Sequence, residues 1–270
     1  VDTVTAMTPD PVNVPNDTPD IYPDGCQQNA QDADLVSCAY GDVHSDRVVA
    51  LVGDSHAAQW QPALDEVATR NGWRVETYTK SSCGLFDVEI TTAEGTPYTS
   101  CTEWNTALLE RLTGTDRPDL VVTSNSNSYR VAVDGEELGD DESSLRLADG
   151  MSQSWRAVLD AGAQLAVVRN TPWLGIDPAE CISQHTDQLT ECAEPTDEAM
   201  ERSGDAQLVA ADRLGGLELI DLNAAICPSD ACPAVIGNVA VWRDEHHLTA
   251  TYARTLAPRL AEQLAPFLSA

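Results

Sequence analysis

Residues Arg47–Trp60, RVVALVGDSHAAQW, contain the clearest pattern from which we predict the fold of this chain. The apolar run is rich in valine and stops at Gly53, which is typical of a buried strand in a parallel sheet. Apolar residues at helical spacing then continue from Ala57 to Arg70. Ser55 therefore lies in a strand-to-helix turn, where parallel sheets bind ligands and where a helix N-terminus offers free N–H groups to an anion. This position suits a nucleophile.

The same alternation of strands and helices continues along the chain. Further strands are predicted at Trp73–Thr79, Asp119–Thr123, Gln164–Val168 and Leu217–Leu222, and further helices at Cys101–Leu112, Met151–Ala161, Asp197–Leu214 and Thr249–Leu268. Parallel strands need crossover connections, and these helices supply them. The sequence therefore predicts a three-layer α/β/α sandwich with a mainly parallel five-stranded sheet.

Three segments stand outside this alternation. Residues 1–24 contain five prolines and little apolar periodicity, so we expect an extended linker or tether, followed by one catalytic domain at 25–270. The segment 125–147 includes the acidic run DGEELGDDE, for which we expect a solvated loop. The segment 171–196 carries one cysteine pair.

The composition argues against some partners, although the charge is also explained by an adaptation for solubility. The formal charge is −29 and Lys80 is the only lysine, so nucleic acid and an anionic membrane surface would both be repelled. The chain has no initiator methionine, no signal-peptide pattern and no apolar run long enough to span a bilayer. We therefore expect a processed or excised soluble fragment.

Eight cysteines follow one another as near neighbours in sequence, without any CxxC pair. The four successive pairs are Cys26 and Cys38, Cys83 and Cys101, Cys181 and Cys192, and Cys227 and Cys232. Zinc sites usually need tighter pairs, so this pattern favours disulfides in an oxidising compartment over metal ligands or free thiols. The sequence does not fix the connectivity, and we expect the sequential one.

A base for Ser55 is available near the C-terminus, in Trp242–Leu260, WRDEHHLTATYARTLAPRL. Asp244 and His247 are three residues apart, so one turn supplies a histidine and a carboxylate that fixes its tautomer. Thr249 is a candidate N-cap of the last helix. His246 is the rival base.

Each of these parts also has a simpler interpretation. Asp54 could only cap a helix, and the histidine pair could be a solvated turn. A metal site of Asp54, His56, Asp244 and His246 is a further alternative, although this spacing matches no common zinc motif.

Together these motifs resemble the SGNH (GDSL-type) esterase and acyltransferase superfamily. The closer resemblance is to the SGNH domain fused to bacterial membrane O-acyltransferases of the acyltransferase family 3 type. It rests on the phrases VALVGDSHAAQWQPAL, YTKSSCG and DEHHLTATYARTLAP, and on the YPDGC lead-in with Cys38 before the first strand. It spans roughly Tyr22 to Leu268 and implies a flavodoxin-like sandwich.

The resemblance implies a role for each matching residue. Ser55 matches the nucleophile, Asp244 the orienting acid and His247 the base. The oxyanion hole would comprise the Ser55 N–H, the Gly84 N–H and the Asn125 side chain. The third block of the family usually contains GxND, whereas this chain has TSNS at 123–126, so Asn127 is an alternative to Asn125.

The function implied is transfer of an acyl group, acetyl by expectation, through an acyl-serine to a hydroxyl of an extracytoplasmic glycan or glycolipid. The donor would come from a transmembrane acyltransferase domain upstream of Val1, and neither a cofactor nor a metal is expected. A secreted carbohydrate esterase and a non-catalytic glycan-binding module remain alternatives. Trp60 and Trp242 could line a pocket, although core positions are more common for such residues.

Overall fold

A computed structural model describes residues 2–268 and contains one central sheet with three small antiparallel strand pairs beside it. The strands are β1 (Gln27–Gln28), β2 (Ala39–Gly41), β3 (Val48–Gly53), β4 (Arg74–Lys80), β5 (Leu120–Ser124), β6 (Ala132–Val133), β7 (Glu136–Glu137), β8 (Gln164–Val167), β9 (Ala193–Pro195), β10 (Ala231–Pro233), β11 (Val235–Ile236) and β12 (Val239–Ala240). The central sheet has the order β1-β4-β3-β5-β8, and β2 also pairs with β4. All of its pairs are parallel except β2 with β4.

Helices cover both faces of this sheet. They are α1 (Ser55–Ala58), α2 (Gln61–Asn71), α3 (Thr99–Thr113), α4 (Asp140–Asp160), α5 (Pro178–Gln184), α6 (Thr196–Ser203), α7 (Ala206–Arg213), α8 (Asn223–Ile226), α9 (Ala250–Thr255) and α10 (Ala257–Leu268), with short 3-10 helices at Pro11–Asn16 and Leu189–Cys192. Val49 and Leu51 of β3 pack with α2, α9 and α10 on one face, while Ala50 and Val52 pack with α3, α4 and α7 on the other. The predicted three-layer α/β sandwich is confirmed.

The register brings three strand ends together. Gly53, the last residue of β3, is aligned with Thr79 of β4 and with Ser124 of β5. The loops that follow these strands therefore start side by side at the carboxyl edge of the sheet, where such folds bind ligands.

Some predicted elements differ from the structure. The strand expected at Leu217–Leu222 is reduced to a single bridge between Ile220 and Val168, whereas the short strands β1 and β2 complete the sheet at its other edge. The helix expected at Asp197–Leu214 is interrupted at Gly204, where φ is +71°. The first helix begins again at Gln61 because Pro62 lacks the N–H that a helix interior needs. The last helix is also divided, at Leu256.

The acidic run is ordered, in contrast to the loop that we expected. Asp134 and Gly135 form the turn between β6 and β7, and α4 already begins at Asp140 rather than at Met151. Three acidic residues, Asp140, Asp141 and Glu142, lie in the first turn of α4, where the helix dipole stabilises negative charge.

The N-terminal segment is packed against the domain rather than extended. Pro11–Asn16 form a 3-10 helix, and the side chains of Val14 and Ile21 are fully buried. The Thr8 N–H donates to the Asn238 carbonyl, and the Asp17 carbonyl accepts from the Ala250 N–H. Prolines set the backbone for the turns, while the two apolar side chains supply the burial.

Four disulfides join the cysteines in sequential order: Cys26–Cys38, Cys83–Cys101, Cys181–Cys192 and Cys227–Cys232. This confirms the expected connectivity. Trp60 and Trp242 are fully buried in the core and do not line a pocket wall. No helix within residues 2–268 is both long enough and apolar enough to cross a membrane.

Candidate active site

Ser55 is the first residue of α1, directly after the end of β3. Asp54 caps this helix, since its carboxylate accepts from the His56 N–H at 2.7 Å. Gly53 has φ of +140°, and a Cβ there would lie 2.0 Å from the Ser124 carbonyl oxygen. Only glycine therefore allows β3 to turn so close to β5 and present Ser55 at the sheet edge.

Ser55, His247 and Asp244 form one hydrogen-bonded chain. The Ser55 Oγ lies 2.8 Å from His247 Nε2, and His247 Nδ1 lies 2.9 Å from an Asp244 carboxylate oxygen. The structure thus brings together the three residues that we singled out, although Ser55 and His247 are 192 positions apart in the sequence. The geometry is that of a serine whose proton can pass to a histidine held by a carboxylate.

The turn that carries His247 is held from both sides. Asp244 Oδ1 accepts from the His246 and His247 N–H groups at 3.1 and 2.8 Å, so the carboxylate folds back over its own turn. Thr249 caps α9 through its side chain, as predicted, by accepting from the Tyr252 N–H at 3.0 Å. Gln59, which is fully buried, accepts from the Leu248 N–H at 2.9 Å.

Asp244 is charged although it is partly buried. Burial opposes ionisation, but the hydrogen bond and charge of His247, the His246 N–H and the Arg243 guanidinium together outweigh it and lower the pKa of Asp244 well below its ordinary value. The carboxylate is therefore available as a counter-ion when His247 takes up a proton.

Asp54 does more than cap a helix. Its second carboxylate oxygen accepts from the Ser126 N–H at 2.8 Å and from the Tyr129 hydroxyl. Burial raises the pKa of Asp54, and the hydrogen bonds from Tyr129, Ser126 and His56 oppose that rise. This fully buried side chain ties the turn of Ser55 to the loop after β5.

Gly84 and Asn125, the two further oxyanion-hole candidates, are in contact. A Cβ at Gly84 would lie 2.6 Å from the Asn125 Cβ, so only glycine fits there. Asn105 holds the Gly84 carbonyl at 3.0 Å, beside the Cys83–Cys101 disulfide. Within residues 2–268 neither the Ser55 N–H nor the Gly84 N–H has a hydrogen-bond partner.

Asn127 is committed elsewhere. Its amide donates to the Gly204 carbonyl at 3.1 Å, and its amide oxygen accepts from the Gln207 N–H at 3.3 Å. Asn125, by contrast, donates to the Ser126 carbonyl, and its amide oxygen is buried without a partner among the described residues. The geometry therefore favours Asn125 over Asn127 as the asparagine beside Gly84.

A pair of histidines, His56 and His246, lies next to the Ser55–His247–Asp244 chain. His56 Nε2 is 3.1 Å from His246 Nδ1, and the two rings are stacked with centroids 5.2 Å apart. The ring centroid of Trp173 lies 4.8 Å from that of His246 and 6.0 Å from that of His56. His246 therefore pairs with another histidine, whereas only His247 has a carboxylate on Nδ1.

Ser55, His56 and His246 open onto a cleft of about 1050 Å³. Trp173, Tyr129 and residues of the segment 91–100 also line this cleft. The volume is at the upper end of what small-molecule sites need, so a sugar unit has room beside Ser55.

Among residues 2–268, two groups of side chains come close enough to meet at one metal ion. Ligand nitrogens of His56, His246 and His247 lie within 4.8 Å of one another, but they are engaged with each other and with Ser55. In the second group, at 181–192, both cysteines are in a disulfide. In the alternative metal set, which also includes His56 and His246, the two carboxylates are already hydrogen-bonded elsewhere: Asp54 accepts from the Ser126 N–H, and Asp244 is bonded to His247.

The family assignment agrees with this geometry. A family model for the SGNH domain fused to AT3 domains matches residues 25–262. The chain belongs to the SGNH family. This SGNH domain is thereby assigned to the proteins that transfer or hydrolyse acyl groups.

This SGNH domain shares its fold with a solved structure. The periplasmic domain of a lipopolysaccharide acetyltransferase from Salmonella ser. Paratyphi A aligns with a TM-score of 0.59 at 15% identity, covering 83% of this chain and 86% of that one. Weaker matches are a Bacteroides fragilis protein assigned as an acylhydrolase (TM-score 0.44, 11% identity, 85% and 91% covered) and an acetyl xylan esterase (0.37, 16%, 81% and 99%). No curated protein sequence matches the SGNH domain significantly.

Sequence reasoning missed several residues that shape the site. It considered Asp54 only as a helix cap or an alternative metal ligand, it gave no role to Tyr129 or Gln59, and it left His56 without a definite partner. Each contact joins loops that are 75 to 190 positions apart, so no local pattern marks them. The one available signal was polar residues next to a buried strand end, where an unpaired polar group would be costly.

Proposed function

We propose that this SGNH domain is a serine-dependent O-acyltransferase in which Ser55 is the nucleophile, His247 the general base and Asp244 the orienting acid. The observation that supports this most directly is the hydrogen-bonded chain from Ser55 Oγ through His247 to Asp244. A histidine with a carboxylate on one nitrogen and a serine on the other is arranged for proton transfer in both directions.

The first half-reaction acylates the serine. Ser55 Oγ attacks the acyl carbon of the donor, and its proton passes to His247 Nε2. When the tetrahedral intermediate collapses, the bond to the donor's leaving group breaks, and that group takes the proton from His247. Asp244 stabilises the imidazolium between the two steps, because its own pKa is lowered and it stays charged.

The oxyanion of that intermediate needs donors already in place. The Ser55 N–H, the Gly84 N–H and the Asn125 amide are the three that we propose. The first two lack other partners among the described residues, and Asn125 lies against Gly84. Loss of one such donor typically costs about 10²- to 10³-fold in rate.

In the second half-reaction an acceptor hydroxyl takes the acyl group. We propose a hydroxyl of an extracytoplasmic glycan or glycolipid, with acetyl as the acyl group and a transmembrane AT3 domain as the source of the donor. The family description, which couples SGNH to AT3 domains, supports this partner. The periplasmic lipopolysaccharide acetyltransferase domain with the same fold and the four disulfides support the compartment. Residues 1–24 would then connect the catalytic domain to that partner.

Hydrolysis of a chromogenic acetate ester by the isolated chain tests the nucleophile and the base. We expect Ser55→Ala and His247→Ala to abolish turnover, while the exposed His44 serves as a matched control in His44→Ala. His246→Ala decides which histidine is the base, and retention of hydrolysis there identifies His247. Turnover that survives Ser55→Ala contradicts the proposal.

The choice between transfer and hydrolysis needs the full-length protein. Envelope acylation that disappears with Ser55→Ala supports transfer. An envelope that stays normally acylated, together with ester hydrolysis by the isolated chain, favours the carbohydrate esterase instead.

A further inference from the structure

The neighbouring histidines His246 and His247 have different hydrogen-bond partners, and this difference indicates a separate role for His246. His247 uses both ring nitrogens, one for Asp244 and one for Ser55. His246 uses only Nδ1, for His56, and it lines the cleft together with Ser55. Its Nε2, on the far side of the ring from His56, is the nitrogen left for a ligand.

The protonation of His56 follows from its surroundings. Its side chain is buried, and burial, followed by the charges of His247 and His246, lowers its pKa far below the ordinary value of 6.5. Burial and the charge of His247 lower the pKa of His246 to about 4. Both rings are therefore neutral at pH 7, and each carries a single N–H.

Only one proton lies between His56 Nε2 and His246 Nδ1, so two arrangements exist. If His246 donates, the N–H of His56 must be on Nδ1, which is buried and has no acceptor among the described residues. If His56 donates, only a lone pair is left without a partner, and the proton of His246 is on Nε2. Buried N–H groups without acceptors are the rarer of the two defects, so the second arrangement is favoured.

We infer that His246 holds the hydroxyl oxygen of the acyl acceptor through its Nε2–H, and that His56 is a positioning residue that keeps the proton on that nitrogen. This inference rests on the proposed function and names the acceptor subsite of the same reaction. The ring centroids of His246 and His247 are 4.1 Å apart, so the residue that we assign to the acceptor is in ring contact with the base.

The subsite gives the second half-reaction a defined proton path. His246 Nε2–H donates to a lone pair of the acceptor oxygen, while the proton of that hydroxyl passes to His247 Nε2. The oxygen attacks the acyl carbon on Ser55, the bond from that carbon to Ser55 Oγ breaks, and Oγ takes the proton back from His247. No other reactant is required.

The surroundings of His246 favour an uncharged sugar as the acceptor. Trp173 is half-buried and its ring lies 4.8 Å from that of His246, which gives the cleft a flat apolar wall for the C–H face of a sugar. Arg130 is the only arginine among the lining residues that the structure describes, and it is paired with Glu137 and Asp140. An anionic sugar would therefore find no unpaired arginine or lysine there.

Nitrogen-15 NMR of the histidine rings tests the tautomer without any turnover. We expect the proton of His246 on Nε2 at pH 7 and expect it to redistribute in His56→Ala. A His246 ring protonated on Nδ1 in the unaltered chain overturns the inference, and does so whatever Ser55 is shown to do.

Competition between water and a sugar tests the role of the subsite. With p-nitrophenyl acetate as donor and methyl α-glucopyranoside as the probe acceptor, acetylated glucoside and free acetate are measured together. His246→Asn keeps a group near Nδ1 but has no donor at the Nε2 position, so we expect the ratio of transfer to hydrolysis to fall about tenfold, the value of one hydrogen bond. His246→Gln, with an amide N–H near that position, should recover part of this ratio, and His44→Ala should leave it unchanged.

His56 has its own test, because a positioning residue acts through another group. We expect His56→Ala to raise the KM for the glucoside more than it lowers hydrolysis, and His56→Gln, which keeps a donor near Nε2, to restore much of the KM. An equal fall of transfer and hydrolysis in His246→Asn overturns the subsite, as does hydrolysis without any transfer in the unaltered chain. Turnover that survives in Ser55→Ala is a failure of the proposed function instead.

Discussion

Replacement of Asp54 by asparagine tests how the Ser55 turn is joined to the loop after β5. The Asp54 carboxylate accepts three hydrogen bonds, from the His56 N–H, the Ser126 N–H and the Tyr129 hydroxyl. An amide has only one oxygen, so in either orientation its NH₂ group faces a donor. If the oxygen serves Ser126 and Tyr129, the His56 N–H loses its acceptor and the cap of α1 is lost.

The magnitude follows from these contacts. One buried donor left without an acceptor costs about 1–3 kcal/mol, and hydrogen bonds to a carboxylate are roughly twice as strong as neutral ones. The removal of a buried charge partly offsets this, because burial already raises the pKa of Asp54. We expect Asp54→Asn to lower the free energy of unfolding by about 1–3 kcal/mol. Because Ser55 and Asn125 are the sequence neighbours of the hydrogen-bonded residues Asp54 and Ser126, kcat should fall roughly 10- to 100-fold.

Urea unfolding and ester hydrolysis measure the two effects on the same preparation. Tyr129→Phe removes one donor and leaves the carboxylate, so it should produce a smaller loss of both. Asp160→Asn, at an exposed position at the end of α4, is the matched control and should change neither. An Asp54→Asn protein with the stability and kcat of the unaltered chain would refute the reasoning.

Three further changes test the rest of the site. Gly84→Ala should lower kcat roughly 10²-fold in the ester assay, because its Cβ would press within 2.6 Å of the Asn125 Cβ, and an unchanged kcat would remove Gly84 from the oxyanion hole. Asp244→Asn should lower kcat about 10³- to 10⁴-fold at pH 7 while circular dichroism shows an intact fold, because the amide nitrogen turns His247 into the wrong tautomer; a near-normal rate would exclude Asp244 as the orienting acid. Acidification from pH 6.5 to about 4 should lower the free energy of unfolding in urea, because an unfolded histidine takes up its proton near 6.5 whereas the pKa of His246 in the folded chain is lowered to about 4. His246→Asn should weaken this dependence of the free energy of unfolding on pH. If that free energy falls equally with acidification in both proteins, the fall is not due to His246.

The sequence predicted those features that depend on local patterns. The apolar run at 48–53 is buried on both faces and is therefore continuous in sequence, so the strand was visible without the fold. The strands β3, β4, β5 and β8 were predicted from their alternation with helices, whereas their order in the sheet is known only from the structure. Ser55 and His247 were found because strand-end and helix-cap positions are themselves local, although their contact joins residues 192 positions apart.

The features that the sequence did not reveal depend on distant partners. β1 and β2 are too short to show a period, and they exist because β4 offers them an unpaired edge. The 217–222 segment has a strand-like pattern, but only Ile220 meets the sheet. The pairing of His56 with His246 could not be predicted either, because nothing near His56 in sequence specifies a second histidine.

In the proposed reaction Ser55 carries the acyl group between donor and acceptor. The most direct measurement is intact-mass and peptide analysis of the chain after brief incubation with p-nitrophenyl acetate and acid quenching, with Ser55→Ala beside it. We expect a single acetyl group on the peptide that contains Ser55, more of it in His246→Asn when the glucoside is present, and none in Ser55→Ala. Turnover of the ester with no acetyl on Ser55, or the same acetylation in Ser55→Ala, would contradict this expectation.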